Sequence, residues 1–310
     1  MRGVKSAPAI HPLQYGSLNE HFYHAEPSEY LLQRLWSLAA SLDPATQPTA
    51  VQFDQFSMAR EPEDILDDNK AMKYAALESM VLLHHAAESM LRLYLAHANR
   101  SPCPWVEIAK LRNFAEFKRR VAELRDSLSE PEVMNDLEEV FMWAHEPAAF
   151  PRVSEHLRAS NQAGLRLMIE YAATVLLEDA PVYNAAKHGI AVLAGDVNLE
   201  LEEVLRAEGP SLTTLEEIEL DGARKWAKRT RWVHPTRSLT TTFVIANMIR
   251  SLWESARGHY LGGGDPSRLY PLDEAQIRKL LHFGYEDGFN VTAMTEGLID
   301  VTDAGGPGRR

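Results

Sequence analysis

Two polar residues that could move a proton lie four positions apart in a short stretch of small apolar residues. Residues 182–196 read VYNAAKHGIAVLAGD, and they include Asn184 and His188. Residues four apart are neighbours on a helix, so the amide and the imidazole can meet, and that contact fixes the tautomer of the ring. A histidine with its ordinary pKa of about 6.5 accepts and releases protons at cellular pH. The pair is therefore suited to moving a proton on and off a ribose 2′-hydroxyl.

A helix is predicted to carry this pair. Pro181 fits the first turn of a helix, because its missing N–H would have no partner there, so we expect the helix to begin just before it. Tyr183 and Lys187 then share one face of the helix, and Asn184 and His188 share the neighbouring face. The helical pattern is predicted to continue through the apolar residues that follow.

The run YNAAKHG, following a long helix in a mainly helical chain, resembles the Asn-x-x-x-His core of the HEPN (higher eukaryotes and prokaryotes nucleotide-binding) superfamily. Members are helical bundles, commonly dimeric, and many are metal-independent ribonucleases whose motif has an arginine four to six residues before the histidine. The resemblance covers residues 69–200, and it implies catalytic roles for His188 and Asn184. The arginine position falls on Tyr183, which removes the cation that would stabilise the phosphate, and Lys187 could substitute for it.

The long central helix carries a second polar group. His85, Glu88 and Arg92 are spaced three and four apart and so mark one face. One interpretation is a solvated face with an ordinary Glu–Arg pair. The other is that this face turns toward His188, or toward its copy in a partner chain, so that Arg92 supplies the missing cation. His97 follows Arg92 by a five-residue step, which places the two side chains about 140° apart on a continuous helix, so we do not expect them to meet.

The hydrophobic pattern predicts a mainly α fold, a helical bundle of about six to eight helices with an inserted β-hairpin and a C-terminal return helix. Two-residue alternation on both sides of Asp221-Gly222 predicts the hairpin, near residues 212–233. The predicted segments are an N-terminal extension with one helix (1–64), a HEPN-like helical bundle (65–200), a hairpin insertion (201–237), return helices (238–283) and a tail (284–310).

The second half of the predicted hairpin is basic. Between Gly222 and Arg237 there is no acidic residue, whereas two tryptophans and six cations are present: Trp226, Trp232, Arg224, Lys225, Lys228, Arg229, Arg231 and Arg237. Cations and indoles together suit a nucleic-acid strand, because cations neutralise phosphates and indoles stack on bases. A hairpin would also bring these cations against Glu216, Glu217 and Glu219, which favours cross-strand ion pairs instead.

Composition narrows the classes of function. The net charge of -12 opposes non-specific binding of nucleic acid over the whole surface, so any such contact is expected to be local. One cysteine excludes an internal disulfide and a multi-cysteine zinc site. Without a Glu-x-x-His pair or a glycine-rich phosphate loop, we expect neither metal nor cofactor. No apolar stretch approaches about eighteen residues, so we expect a cytoplasmic protein without membrane contact.

We therefore expect a HEPN-like protein that binds or cleaves RNA or a nucleotide, as a homodimer acting in a defence or stress response. As an enzyme it would be a metal-independent endoribonuclease, with His188 carrying the proton and Asn184 orienting it. Tyr183, Lys187, Arg92, Glu88 and His85 would line the site. The alternative is a non-catalytic interaction or scaffold protein that keeps a degenerate HEPN-like bundle, which the acidic composition and the missing arginine favour.

Overall fold

The structure is a computed structural model of the 310-residue chain. It describes the following residues: 10–43, 50–53, 56–59, 68–142, 154–187, 191–196, 199–201, 205–220, 223–262, 272–282 and 297–299. Helices dominate these residues, and one long antiparallel hairpin interrupts them. The prediction of a mainly α fold with an inserted hairpin and a helical return is confirmed.

Ten α-helices and one 3-10 turn, Pro12–Gln14, lie in the described part of the chain, more than the six to eight helices expected. The α-helices are α1 (Tyr15–His24), α2 (Pro27–Ser41), α3 (Asp68–Ala98), α4 (Pro104–Lys110), α5 (Phe114–Ser127), α6 (Pro131–Met142), α7 (Glu155–Glu178), α8 (Ala180–Lys187), α9 (Pro235–Leu261) and α10 (Glu274–His282). Helix α9 ends at a glycine, because Gly262 directly after it has φ +72°, a left-handed conformation that favours glycine.

The described strands form three antiparallel sheets. They are β1 (Ala50–Phe53), β2 (Phe56–Ala59), β3 (Val192–Asp196), β4 (Leu199–Leu201), β5 (Leu205–Ala207), β6 (Pro210–Leu220), β7 (Ala223–Trp232) and β8 (Gly297–Ile299). The largest sheet has the order β3-β6-β7-β8, and β1-β2 and β4-β5 are two-stranded. Leu220 lies opposite Ala223, so the predicted turn residues 221–222 join β6 to β7, although these two residues lie outside the described part.

The chain divides into two compact units, each assembled from separate segments. The first unit contains Met1–Tyr30, Glu88–Ala173 and Ile245–Ala275. Its core is apolar and closely packed, and its largest fully buried side chains include Tyr23, Tyr94, Phe117, Leu137, Leu165, Met168 and Ile169. The one cysteine, Cys103, is also fully buried there.

The start of α10 is held against α7 in the first unit. The amide N–H of Leu272 donates to Oδ1 of Asn161 at 2.7 Å, and the amide of Glu274 donates to Oγ of Ser160 at 3.1 Å. Gly164 makes this approach possible, because a Cβ at that position would lie 2.3 Å from the carbonyl oxygen of Leu272.

The run from Trp105 to Leu128 forms two helices, because Asn113 caps a new helix by accepting a hydrogen bond from the amide of Glu116 at 3.3 Å. One sequence prediction, for the N-terminal extension, is wrong. The N-terminal extension was expected to hold one helix, yet α1 precedes α2. Helix α1 lacks a clear apolar stripe because one of its two buried residues is polar, Asn19, which donates to the carbonyl of Pro102 at 2.9 Å.

The second unit contains Leu31–Ala87, Thr174–Val244 and Gln276–Arg310. Its main sheet has one face covered by residues of α3 and α8. The buried members of this cluster are Ala76, Met80, Val182, Val192, Leu212 and Val233, with Leu77, Ala185, Ala186 and Ala194 packed partly against them. This packing fixes α8 against the sheet and decides which of its side chains reach solvent.

The helix that carries the Asn184 motif is shorter than predicted. It ends at Lys187, and the apolar residues expected to continue it form β3, which pairs with β6 from Val192 opposite Thr214 to Asp196 opposite Pro210. Part of the segment expected to be bundle, 65–200, is therefore strand. The periodicity of a short apolar run does not distinguish a helix from a strand, and here the pairing with β6 favours the strand.

Candidate functional site

A partly buried ion pair ties the start of α8 to the sheet. Asp179 directly precedes the helix, and its carboxylate accepts a hydrogen bond from the guanidinium of Arg231 on β7. The carbonyl of Asp179 also accepts from the amide of Tyr183 at 3.0 Å. Burial raises the pKa of Asp179, and Arg231 acts in the opposite direction. Arg231, one of the six cations of the basic strand, is thus used to position α8.

Two predicted site residues face solvent at the other end of α8. Asn184 and Lys187 are both exposed, and their spacing of three residues makes them neighbours on the helix surface. Lys187 is the last residue of the helix, where the helix dipole favours a cation. An amide and an ammonium in this position can both donate to an oxyanion. His188 follows directly but lies outside the described residues, so its contact with Asn184 stays a prediction.

Tyr183, at the position where the resemblance has an arginine, is buried and engaged on both its ring and its hydroxyl. The ring stacks on the ring of buried His84, with centroids 3.8 Å apart and planes 1° from parallel. The Tyr183 hydroxyl lies 2.7 Å from Nε2 of His85. Tyr183 therefore anchors α8 to α3 inside the second unit, and the structure brings it together with the predicted residue His85.

An arginine that the sequence analysis did not single out reaches this cluster. Nη1 of Arg34, on α2, lies 3.0 Å from Nδ1 of His85. Because a guanidinium has only donors, Nδ1 accepts and the ring carries its proton on Nε2, which donates to the Tyr183 hydroxyl. Arg34 also pairs with Glu78 at 3.5 Å. One feature of the sequence indicated this role, since Arg34 is a charged residue between the buried residues Leu31 and Leu35 of α2.

Arg92 and Glu88 form an ion pair, as one interpretation of the sequence predicted, but the face is not solvated, because the two side chains are only 18% and 23% exposed. The guanidinium of Arg92 lies 2.7 Å from Oε1 of Glu88, 4.0 Å from the centre of the Phe117 ring, and within hydrogen-bonding distance of the carbonyl of Leu111. These residues belong to the first unit, whereas His85 belongs to the second. The role of Arg92 as a remote cation toward His188 is not tested by these contacts and stays a prediction.

His97 does not meet Arg92, as its five-residue spacing predicted. Its Nδ1 lies 2.7 Å from the carbonyl of Leu93 and its Nε2 lies 2.7 Å from the hydroxyl of Tyr23. Nδ1 therefore donates and Nε2 accepts, and the ring is neutral. Burial lowers the pKa of His97 to about 4, and the bond to Leu93 acts in the opposite direction.

The basic strand β7 divides its cations between two faces of the sheet. On the covered face, Arg229 pairs with Glu216 at 2.8 Å and Arg231 pairs with Asp179. On the other face, Arg224 lies 3.5 Å from Glu217. The predicted cross-strand pairing therefore holds for Glu216 and Glu217, whereas Arg231 pairs with Asp179, which directly precedes α8.

Among the described residues, no three His, Cys, Asp or Glu side chains cluster closely enough to hold a metal ion. Within the same part of the chain, every helix is too short or too polar to cross a membrane. Comparison of the chain with protein-family models, with curated proteins and with solved structures gave no match.

Proposed function

We propose that the chain binds and cleaves RNA or a nucleotide without a metal, at the C-terminal end of α8. The observation that carries the proposal is the joint exposure of Asn184 and Lys187 at the end of a helix that is anchored on its opposite face. Side chains on a fixed helix bind a ligand with less loss of conformational freedom than side chains on a mobile loop.

The proposed reaction needs one base, one acid and one cation. His188 removes the proton of a ribose 2′-hydroxyl, the 2′-oxygen attacks the neighbouring phosphorus, and the bond from phosphorus to the 5′-oxygen breaks. His188 then acts as the acid and passes this proton to the leaving oxygen, so the products are a cyclic phosphate and a 5′-hydroxyl. Lys187 stabilises the negative charge that builds on the phosphate, and Asn184 orients the phosphate or the imidazole.

The remaining predicted residues hold the site in place. Tyr183 and His85 fix α8 to α3, so their proposed role is to position Asn184 and Lys187. Arg92 is the second candidate for the cation, delivered from another copy of the chain in a homodimer. Lys187 is preferred because it is exposed on α8 itself, whereas Arg92 is bound by Glu88.

A non-catalytic interaction protein is the second candidate, and the burial of Tyr183 favours it. The residue at the arginine position is 9% exposed and bound to two histidines, so it adds no positive charge to a site on α8. In this alternative the bundle is kept and the chemistry is lost.

Cleavage of a single-stranded RNA in the presence of a chelator separates the two candidates. We expect wild type to cleave, His188→Ala to lose cleavage, and Asn184→Ala and Lys187→Ala to be slower. The matched controls are His24→Ala and Lys279→Ala, which remove exposed residues of the same types from α1 and α10. Equal rates in wild type and His188→Ala would remove the enzyme proposal and leave the interaction protein.

A further inference from the structure

The face of the main sheet opposite α8 presents a set of side chains that the proposed site does not use. Apolar and basic residues reach solvent there on three neighbouring strands, and we name them the open face: Leu193, Leu215, Arg224, Trp226 and Lys228. The covered face carries Val192 and Leu212, which pack with α8, so the open face lies on the other side of the sheet.

The strand register places the apolar members of the open face on a diagonal. Leu193 lies opposite Thr213 and Leu215 lies opposite Lys228, while Trp226 is two residues before Lys228. Diagonal neighbours on one face of a sheet are about 7 Å apart, so the three apolar side chains form a continuous stripe across β3, β6 and β7. Trp226 is 47% exposed at the end of this stripe.

Cations flank the tryptophan on its own strand. Arg224 and Lys228 lie two residues on either side of Trp226 and therefore point to the same face. The residues opposite Lys228 are Leu215 on β6 and Gly297 on β8, and no ion pair joins Lys228 to an acid among the described residues. The pair between Arg224 and Glu217 is at the surface, with the two side chains 81% and 50% exposed, so water and salt screen it.

Two exposed acids share the open face with its two cations, because Glu217 lies opposite Trp226 and Glu219 lies opposite Arg224. The described side chains of this face therefore carry no net charge, and any phosphate contact is local to Lys228 and Trp226. Lysine is depleted at the centres of protein interfaces, whereas cations beside an aromatic ring suit a phosphate backbone with unstacked bases.

We propose that the open face binds single-stranded RNA, with a base stacked on Trp226 and a phosphate bound by Lys228. This inference rests on the RNA ligand of the proposed function, and it adds a binding surface separate from the residues of α8. It also assigns the two faces of the basic strand different tasks, because Arg229 and Arg231 hold the sheet and α8 together.

Fluorescence anisotropy with a labelled single-stranded RNA about a dozen nucleotides long tests the proposal. Trp226→Ala is expected to weaken binding roughly 5- to 100-fold, while Trp226→Phe keeps a stacking ring and most of the affinity. Lys228→Ala is expected to lower the slope of log affinity against log salt by about 0.7. Glu217→Gln is expected to tighten binding, because it removes a competing acid. Trp36→Ala, at an exposed tryptophan of α2, is the matched control.

The outcomes separate this proposal from the one about α8. Binding that depends on Trp226 and Lys228, but not on His188, supports the open face whether or not any protein cleaves RNA. No RNA binding by wild type, or equal binding by wild type, Trp226→Ala and Lys228→Ala with unchanged circular dichroism, would overturn it. Self-association that is lost in Trp226→Ala, without RNA binding, would assign the face to a protein partner and also overturn it.

Discussion

Arg34 fixes the protonation of His85, because its guanidinium lies 3.0 Å from Nδ1 of that ring and can only donate. The proton of the neutral ring is therefore on Nε2, where it donates to Tyr183 at 2.7 Å. Protonation of Nδ1 would put two donors against each other and break the contact with Arg34. The three side chains come from α2, α3 and α8, so this chain of contacts links the three helices in the second unit.

Tyr183→Phe tests how much the hydrogen bond between Tyr183 and His85 contributes to the free energy of unfolding. The variant keeps the ring stacked on His84 but leaves the N–H of His85 without the tyrosine oxygen, which is expected to lower the free energy of unfolding by about 1 to 3 kcal/mol. Urea denaturation measures the change. Tyr74→Phe, at a tyrosine of α3 that is 54% exposed, is the matched control and should change stability by less than about 0.5 kcal/mol. Equal effects of the two variants would contradict the prediction.

Arg231→Met tests the ion pair that anchors α8. Removal of the guanidinium leaves the buried carboxylate of Asp179 without its cation, and we expect a loss of roughly 3 kcal/mol at neutral pH. The pKa of Asp179 is raised above its ordinary value of 3.8, so its stabilising contribution is complete below that value and is lost as the pH rises through the folded pKa. In acid the carboxyl of Asp179 is neutral with or without Arg231 and needs no cation, so the effect of Arg231→Met should shrink there. Urea denaturation of wild type and Arg231→Met, at neutral pH and at a pH below 3.8, measures the loss of stability. A loss that does not change with pH would refute the assignment to Asp179.

His97 is expected to make the first unit less stable in acid. Its folded pKa of about 4 lies below its ordinary value of 6.5, so the unfolded chain binds more protons between these values. The contribution of His97 to stability is thus full above about 6.5 and is lost as the pH falls toward about 4. Between neutral pH and about pH 4.5 the loss amounts to about 2 kcal/mol. His97→Gln should lose less stability than wild type over this interval, and a parallel loss would contradict the prediction.

Two glycine substitutions in the first unit should have opposite effects. Gly164→Ala places a Cβ 2.3 Å from the carbonyl oxygen of Leu272, so the segment that begins α10 has to shift, and we expect a loss of about 1 to 3 kcal/mol. Gly258→Ala on α9 meets no atom within 4 Å and should stabilise the helix by about 0.5 to 1 kcal/mol. Thermal melting of both variants decides the matter, because a stabilising Gly164→Ala would mean that Leu272 does not pack against α7.

The elements that the sequence predicted well are those with a long periodic signal or a specific turn. The long central helix that carries His85, Glu88 and Arg92 is observed as α3, and the position of the hairpin was predicted from Asp221-Gly222. The missed elements depend on contacts distant in sequence. Strand β3 was predicted to be helix because its partner β6 lies beyond two further strands. Helix α1 was missed because one of its two buried residues is polar, Asn19, which leaves no apolar stripe.

The candidate site was predictable only within one helix. Helix geometry predicted that Tyr183 and Lys187 share one face of α8, but Tyr183 is buried and Lys187 is exposed. The exposed face holds Asn184 and Lys187 instead, three residues apart. Arg34 could not be found in the same way, because it meets His85 across 51 residues of chain. The two faces of the basic strand were likewise hidden until the register showed which cations share a side with Trp226.

Cys103, the one cysteine in the sequence, is fully buried, so a thiol-reactive reagent has no accessible native target on the folded protein. A cysteine introduced in place of Lys187 or Leu215 would carry a dye or a nitroxide alone, without prior removal of the native thiol. The label at Lys187 would report on the end of α8, and the label at Leu215 would report on the opposite side of the sheet. Comparison of the two spectra at increasing concentrations of an oligonucleotide would show which position it contacts.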